Sequence, residues 1–185
     1  MVKDLMNDAK QRMDQAVQAT LRDFNTFRTG RANPVMLERI HVDYYGTETP
    51  INQLANISVP EPRQLLIQPY DKSATQAIER AIQKSDLGIN PIVDGTGIRL
   101  NIPSMTEERR QQLIKQVHAR AEEGCVAIRN VRRDLIDHLK KLEKEKKISE
   151  DELKRLEQEA QKITDQHIEQ VHDLQKKKDA ELKEV

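Results

Sequence analysis

Arg129, Arg132 and Arg133 fall within the five-residue stretch "RNVRR" of a 185-residue chain whose formal net charge is zero. Their spacing is i, i+3, i+4, so on a helix all three share one face. The chemistry this suits is the gripping of a polyanion. A guanidinium is planar and permanently charged, and its fork matches phosphate oxygens two at a time or stacks on a base. Lys115, His118 and Lys140 fall near the same face. The apolar positions Ile128, Val131 and Leu135 lie about 120° away on a wheel of 100° per residue, so the arginines flank a buried seam and point outward. The bland alternative is a solvated helix face whose charge is met by acids, such as an i, i+4 contact between Arg133 and Asp137.

Other groups capable of chemistry lack the company they would need. The histidines at 41, 118, 138, 167 and 172 form no H-E-x-x-H and have no partner cysteines, which argues against a metal site. Cys125 adjoins the apolar stripe and reads as a small buried group rather than a nucleophile. "DGTGIR" (94–99) holds a G-x-G but no phosphate loop, and reads as a turn between strands. His167 lies near an apolar seam and suits packing or capping. Gly124 sits in mid-helix, where it costs about 1 kcal/mol against Ala and allows close approach of a neighbouring helix. Nothing here calls for an enzyme, a catalytic residue, a metal or a cofactor.

Neutrality is the sum of unlike parts. Residues 106–147 carry 12 basic and 8 acidic groups, and residues 148–185 carry 7 and 11. A nucleic-acid contact can therefore arise from local asymmetry. Only 36% of residues are apolar and 3% aromatic, which suits an elongated helical body with a narrow core. The single cysteine implies no oxidising compartment, and the start "MVKDLMNDAK" shows no apolar leader. A cytoplasmic protein is expected, with no membrane partner.

All seven prolines lie between Pro34 and Pro103. Proline breaks helix interiors, so the two ends can be long helices and the middle cannot. Apolar residues from Val2 to Phe27 recur at three- and four-residue steps, and Gly30 is the expected helix stop. The rhythm resumes from Leu113 to Leu142 in a helix over about 106–147, roughly 60 Å long at 1.5 Å per residue. Ser149 and Glu152 form a capping box that starts a third helix near 150. Three seams this narrow pack together as a three-helix bundle. In the middle, "ERIHVDYY", "ANISV", "QLLIQ" and "GIRLNI" read as strands. "SATQAIERAIQKSDLG" (73–88) reads as a helix with Ser73 and Gln76 as its cap and Gly88 as its stop. The expected fold class is α+β. A discontinuous bundle, 1–30 and 105–185, carries an inserted small α/β domain, 31–104, with hinges near 29–34 and 101–105.

With that layout, "RTGRA" (28–32), "YYGTETP" (44–50), "DLGINP" (86–91), "GIRLNIPSMTEERR" (97–110) and "RNVRR" (129–133) together resemble the bacterial ribosome recycling factors. The motifs occur in that family's order across nearly the whole chain. Ile89 and Met105 stand where leucine is commoner, both conservative changes. The resemblance implies an L-shaped, two-domain monomer that binds the post-termination ribosome between its subunits. It implies that elongation factor G, with GTP hydrolysis, acts with it to split the subunits and release mRNA. It places Arg129, Arg132, Arg133 and Arg31 against large-subunit rRNA, and Arg28, Gly30, Arg31, Pro103 and Ser104 at the hinge. The alternative from another class is a helical adaptor or chaperone that binds protein partners through its bundle.

Overall fold

The computed structural model describes residues 1–184. In chain order the elements are α1 (Val2–Thr26), β1 (His41–Tyr44), β2 (Thr47–Pro50), α2 (Ile51–Leu54), β3 (Ala55–Glu61) and β4 (Gln64–Pro69). They continue with α3 (Thr75–Lys84), β5 (Ile92–Asp94), β6 (Gly97–Asn101), α4 (Glu107–Lys144) and α5 (Glu150–Glu184). Two compact units result: Met1–Arg28 with Glu107–Glu184, and Thr29–Thr106.

The first unit is a three-helix bundle. Met6, Ala9, Met13, Val17 and Phe24 of α1 are buried, as are Leu113, Val117, Ile128, Leu135 and Leu139 of α4. Leu156, Ala160, Ile163, Val171 and Leu182 of α5 complete the seam. With 38 residues, α4 runs about 57 Å at 1.5 Å per residue. Polar pairs link the helices across this seam. Arg12 of α1 meets Asp134 of α4 at 3.1 Å, and Arg120 of α4 meets Asp23 of α1. His167 of α5 is buried; its Nε2 lies 2.6 Å from Asp14 and its Nδ1 lies 2.7 Å from the Ile163 carbonyl.

The second unit holds two antiparallel sheets, the hairpin β1–β2 and a four-stranded sheet in the order β3-β4-β6-β5. Leu65 pairs with Leu100 and Ile67 with Ile98, which sets four fully buried side chains on one sheet face. Ile78 and Ile82 of α3, with Val42 and Ile51, cover that face. "DGTGIR" is indeed the β5–β6 turn. There the Thr96 amide donates to Asp94 at 2.8 Å and Arg99 donates to Asp94 and Gln64, each at 2.9 Å. The Thr96 hydroxyl, then its amide, then Arg99 hold the Asp94 carboxyl down at about 2.

Several local signals act differently from their sequence reading. The first helix ends at Thr26 with Phe27 extended, so Gly30, left-handed at φ +78°, lies beyond the helix rather than at its stop. Helix α3 ends at Lys84, and Gly88, at φ +66°, turns the chain later. Ser73 and Gln76 do not cap α3, which has no side-chain cap. Asp71 instead accepts from the Ser73 amide and starts a 3-10 turn ahead of it. The Ser149 cap does form, with its hydroxyl 3.1 Å from the Glu152 amide.

The α4–α5 corner closes with the Lys146 amide donating to Glu143 O (2.9 Å) and the Lys147 amide to Leu142 O (2.9 Å). This two-bond C-terminal closure needs a left-handed residue, usually glycine. Lys146 occupies it at φ +59°. Lys146→Gly is expected to raise the stability of the bundle by about 0.5–1 kcal/mol, since glycine adopts this conformation without steric cost. The shift of the urea midpoint at constant slope measures it.

Candidate nucleic-acid interface

The face that carries Arg129, Arg132 and Arg133 exists because α4 is unbroken through the motif. Ile128, Val131 and Leu135 turn inward, so the intervening positions must turn out. Arg129 and Arg133 are exposed and Arg132 is half-buried. Arg133 makes no hydrogen bond or ion pair among the described residues. The expected Arg133–Asp137 contact is absent, although the helical spacing permits it. The neighbouring acid Asp134 faces α1 instead, where Arg12 takes it. Arg132 lies on the flank nearer α5; its Nε is buried and meets no acceptor. The aliphatic stem is thus packed while the guanidinium terminus leads outward, a common arrangement for long cationic side chains.

Arg129 differs from the other two. Its Nη1 donates to Glu122 at 3.1 Å, and both side chains stay at least half exposed. A pair that open to water is worth under about 1 kcal/mol and exchanges readily. Among the described residues no acid of α5 pairs with the three arginines, and of the stripe residues α5 engages only His118, through Asp179 at 2.9 Å. Lys115 and Lys140 are exposed. Sequence reasoning missed two more members of this face, Val126, exposed, and Asn130, which lies one turn before Asp134. The i, i+4, i+7 spacing of Val126, Asn130 and Arg133 was the available signal.

Cys125 is buried beside this face, with its sulfur 3.9 Å from His172 Nε2. No sequence motif announced that neighbour. Burial pushes the thiol pKa up and the charge of Glu122 adds to it, with Arg129 opposing. The sulfur therefore stays a protonated packing group. Gly124, next to it, faces Thr20 of α1 at a separation with no room for a side chain.

Arg31 is half-buried and engaged, and Gly30 is buried, whereas Arg28, Pro103 and Ser104 are exposed. Both crossings are tied to the β3–β4 turn. The Ala32 amide donates to Pro62 O and the Ile102 amide to Arg63 O, each at 2.8 Å. Among the described residues no group of histidine, cysteine and acidic side chains could hold a metal ion, and no helix is long and apolar enough to cross a membrane.

Comparison with known proteins points the same way. The ribosome recycling factor family model matches residues 20–182. The ribosome-recycling factor of Halalkalibacterium halodurans is 55% identical over 185 residues, covering 100% of both chains. That of Syntrophomonas wolfei is 54% identical over the same span, again covering 100% of both. A solution structure of the ribosome recycling factor superposes with a TM-score of 0.75 at 40% identity, covering 100% of this chain and 98% of that one. A second matching chain comes from models for the T. thermophilus ribosome recycling factor and the E. coli elongation factor G bound to the E. coli post-termination complex. It has a TM-score of 0.67 and 46% identity, and covers 98% of each chain.

Proposed function

The chain belongs to the ribosome recycling factor family, and from that premise we propose that it binds the post-termination ribosome in the cytoplasm through the arginine face of α4. Acting as a monomer with elongation factor G and GTP hydrolysis, it splits the ribosome into subunits and releases mRNA, so that ribosomes are recycled. Arg129, Arg132 and Arg133 contact large-subunit rRNA, and Arg31 is a secondary contact. The observation that carries this reading is that Arg132 and Arg133 leave one helix face with no carboxylate among the described residues holding either of them. Such a face costs little to bring to a phosphate backbone, because no internal pair has to break first.

We infer that bending between bundle and insert is confined to Arg28, Gly30 and Arg31 on one crossing and to Pro103 and Ser104 on the other. The amide bonds at Ala32 and Ile102 anchor the insert side of both crossings, which leaves these residues as the soft positions. Gly30 already uses a left-handed conformation, and Pro103 and Ser104 lie outside any helix or strand.

Sedimentation with purified large subunits across a salt series tests the RNA contact. Each phosphate contact contributes about −0.7 to −0.9 to the slope of log K against log salt. Three arginines at phosphates give a slope of roughly −2 to −3 on the same scale. A flat dependence favours the adaptor reading instead. That reading requires an apolar docking stripe, and the outward face of α4 offers only Val126 as an exposed large apolar residue.

A further inference from the structure

On a wheel of 100° per residue, Val126, Arg129, Asn130 and Arg133 of α4 fall within about 100° of one another. All four are exposed and together cover about two turns of one outward face. Val126 is 45% exposed; among the described residues of the bundle, Met1 is the only other exposed large apolar side chain. One turn on from Val126 stands Asn130, whose side-chain amide makes no hydrogen bond among the described residues.

Valine and asparagine are poorly matched to a phosphate. A phosphate offers charge and acceptors alone, which leaves the Asn130 carbonyl oxygen and the Val126 methyls unused. An unpaired base offers a flat apolar face, and an edge that carries donors and acceptors together. The Asn130 amide also has both, and the Val126 methyls give a base a dry floor. The two ends of the same face carry the opposite charge. Glu122 lies one turn before Val126 and Asp137 one turn after Arg133, both exposed and both in the same sector of the wheel. Asp137 has no cationic partner among the described residues, and Glu122 keeps only its open pair with Arg129. The two acids stand about 22 Å apart along the helix at 1.5 Å per residue. An uninterrupted duplex laid along α4 carries its phosphates past both carboxylates, whereas a single nucleotide fits between them.

Building on the ribosomal reading above, we propose that this face takes one unpaired nucleotide of an RNA loop, its base on Val126 and its edge read by Asn130, while Glu122 and Asp137 turn away continuous duplex. Arg129 and Arg133 hold the phosphates on either side of that nucleotide, which keeps the salt dependence of the arginine contact. Repulsive groups set against a competing ligand make binding selective as effectively as added attraction does. Glu122 and Asp137 are thus specificity-determining residues, and Val126 and Asn130 are base contacts.

The test uses the full chain with purified large subunits. Dimethyl sulfate and a carbodiimide modify the pairing edges of unpaired bases. The parent chain is expected to protect such a base, and Asn130→Ala at saturating concentration to leave it reactive. Asn130→Ala should weaken binding about tenfold at an unchanged salt slope, because it removes a base contact and no charge. Val126→Lys adds a cation to the face, so a face that only tracks phosphates binds more tightly; the expected result is a several-fold loss. Both substitutions favour the helix, which keeps the variants folded. Against a fully paired RNA duplex longer than α4, Glu122→Gln with Asp137→Asn should bind about tenfold more tightly than the parent, against a few-fold gain for large subunits. No protected base, a protection that survives Asn130→Ala, tighter binding by Val126→Lys, or an equal gain for duplex and large subunits would overturn the proposal. If the parent chain does not bind large subunits, the ribosomal reading falls and this proposal with it; normal binding with no protected base defeats this proposal alone.

Discussion

The chain carrying Arg132→Ala and Arg133→Ala together is expected to bind large ribosomal subunits about 100- to 10,000-fold more weakly than the parent at moderate salt. Each lost charge-assisted hydrogen bond accounts for about 1.5–3 kcal/mol, and 1.4 kcal/mol is a factor of ten. The salt slope should fall by roughly 1.5, the contribution of two phosphates. Folding stability should change by no more than about 1 kcal/mol, from the packed stem of Arg132, because neither side chain has a charged partner in the bundle to lose. That combination, a large binding loss at constant stability and helicity, separates an interface role from a structural one. Arg129→Ala is expected to cost less, since Arg129 must first leave Glu122. By the same reasoning Glu122→Gln frees Arg129, removes a negative charge from the face, and should tighten binding a few-fold. Equal affinity and an unchanged slope for the double variant would dismiss the RNA contact on α4.

What could be read in advance about this face was the part encoded locally. Three-residue and four-residue steps put Arg129, Arg132 and Arg133 on one side of a helix regardless of what packs against it, and the absence of proline after Pro103 made the helix itself legible. The choice of partner for each acid was not local. Asp137, four residues from Arg133, stays clear of it, and Asp134 pairs with Arg12, 122 positions away. Only the docking of α1 on α4 decides that. Glu122 reaches Arg129 over two turns, a spacing that helical pair rules do not reward.

In the insert, the longer strands announced themselves through alternating apolar residues. β2, "TETP", and β5, "IVD", did not, because one has no fully buried side chain and the other is wholly exposed on a sheet edge. Gly46 marked the end of the first strand, and the chain turns there, although Tyr45, the first residue of the turn, is one that hairpin statistics disfavour. Likewise Ser73 satisfied the pattern of a capping box, yet Asp71 two residues earlier captured the amide of Ser73 and displaced the start of the helix. A carboxylate in reach of the Ser73 amide out-competes the Gln76 side-chain oxygen that a capping box would place there, since a charge-assisted bond is the stronger one.

Gly124 is where helix propensity and packing oppose each other, and the outcome can be predicted with its sign. On an exposed helix Gly→Ala would gain about 1 kcal/mol. Here a Cβ on residue 124 would run into the Thr20 hydroxyl of α1. Thr20 is fully buried, and its Oγ1 donates to the Ala16 carbonyl at 2.9 Å. Turning the side chain away would break that bond, and a β-branched residue in a helix has few other rotamers to take. Overpacking of this kind costs about 1–3 kcal/mol, so Gly124→Ala should be net destabilising despite its propensity gain. Gly124→Leu should prevent α1 from seating at all. The decisive variant is Gly124→Ala combined with Thr20→Ala. The Thr20 β-carbon lies 3.6 Å from the added Cβ, an ordinary contact, so removing the hydroxyl removes the clash. The double variant should therefore regain the stability lost by Gly124→Ala and add a helix-propensity gain at two positions. Denaturant titration of all four chains closes the cycle, with a coupling of about 2–3 kcal/mol expected for residues in direct contact. Additive effects would mean that α1 and α4 do not meet at Thr20 and Gly124. Seating α1 there also sets the pairs Arg12–Asp134 and Arg120–Asp23, which draw Asp134 away from the arginine face and leave Arg133 free.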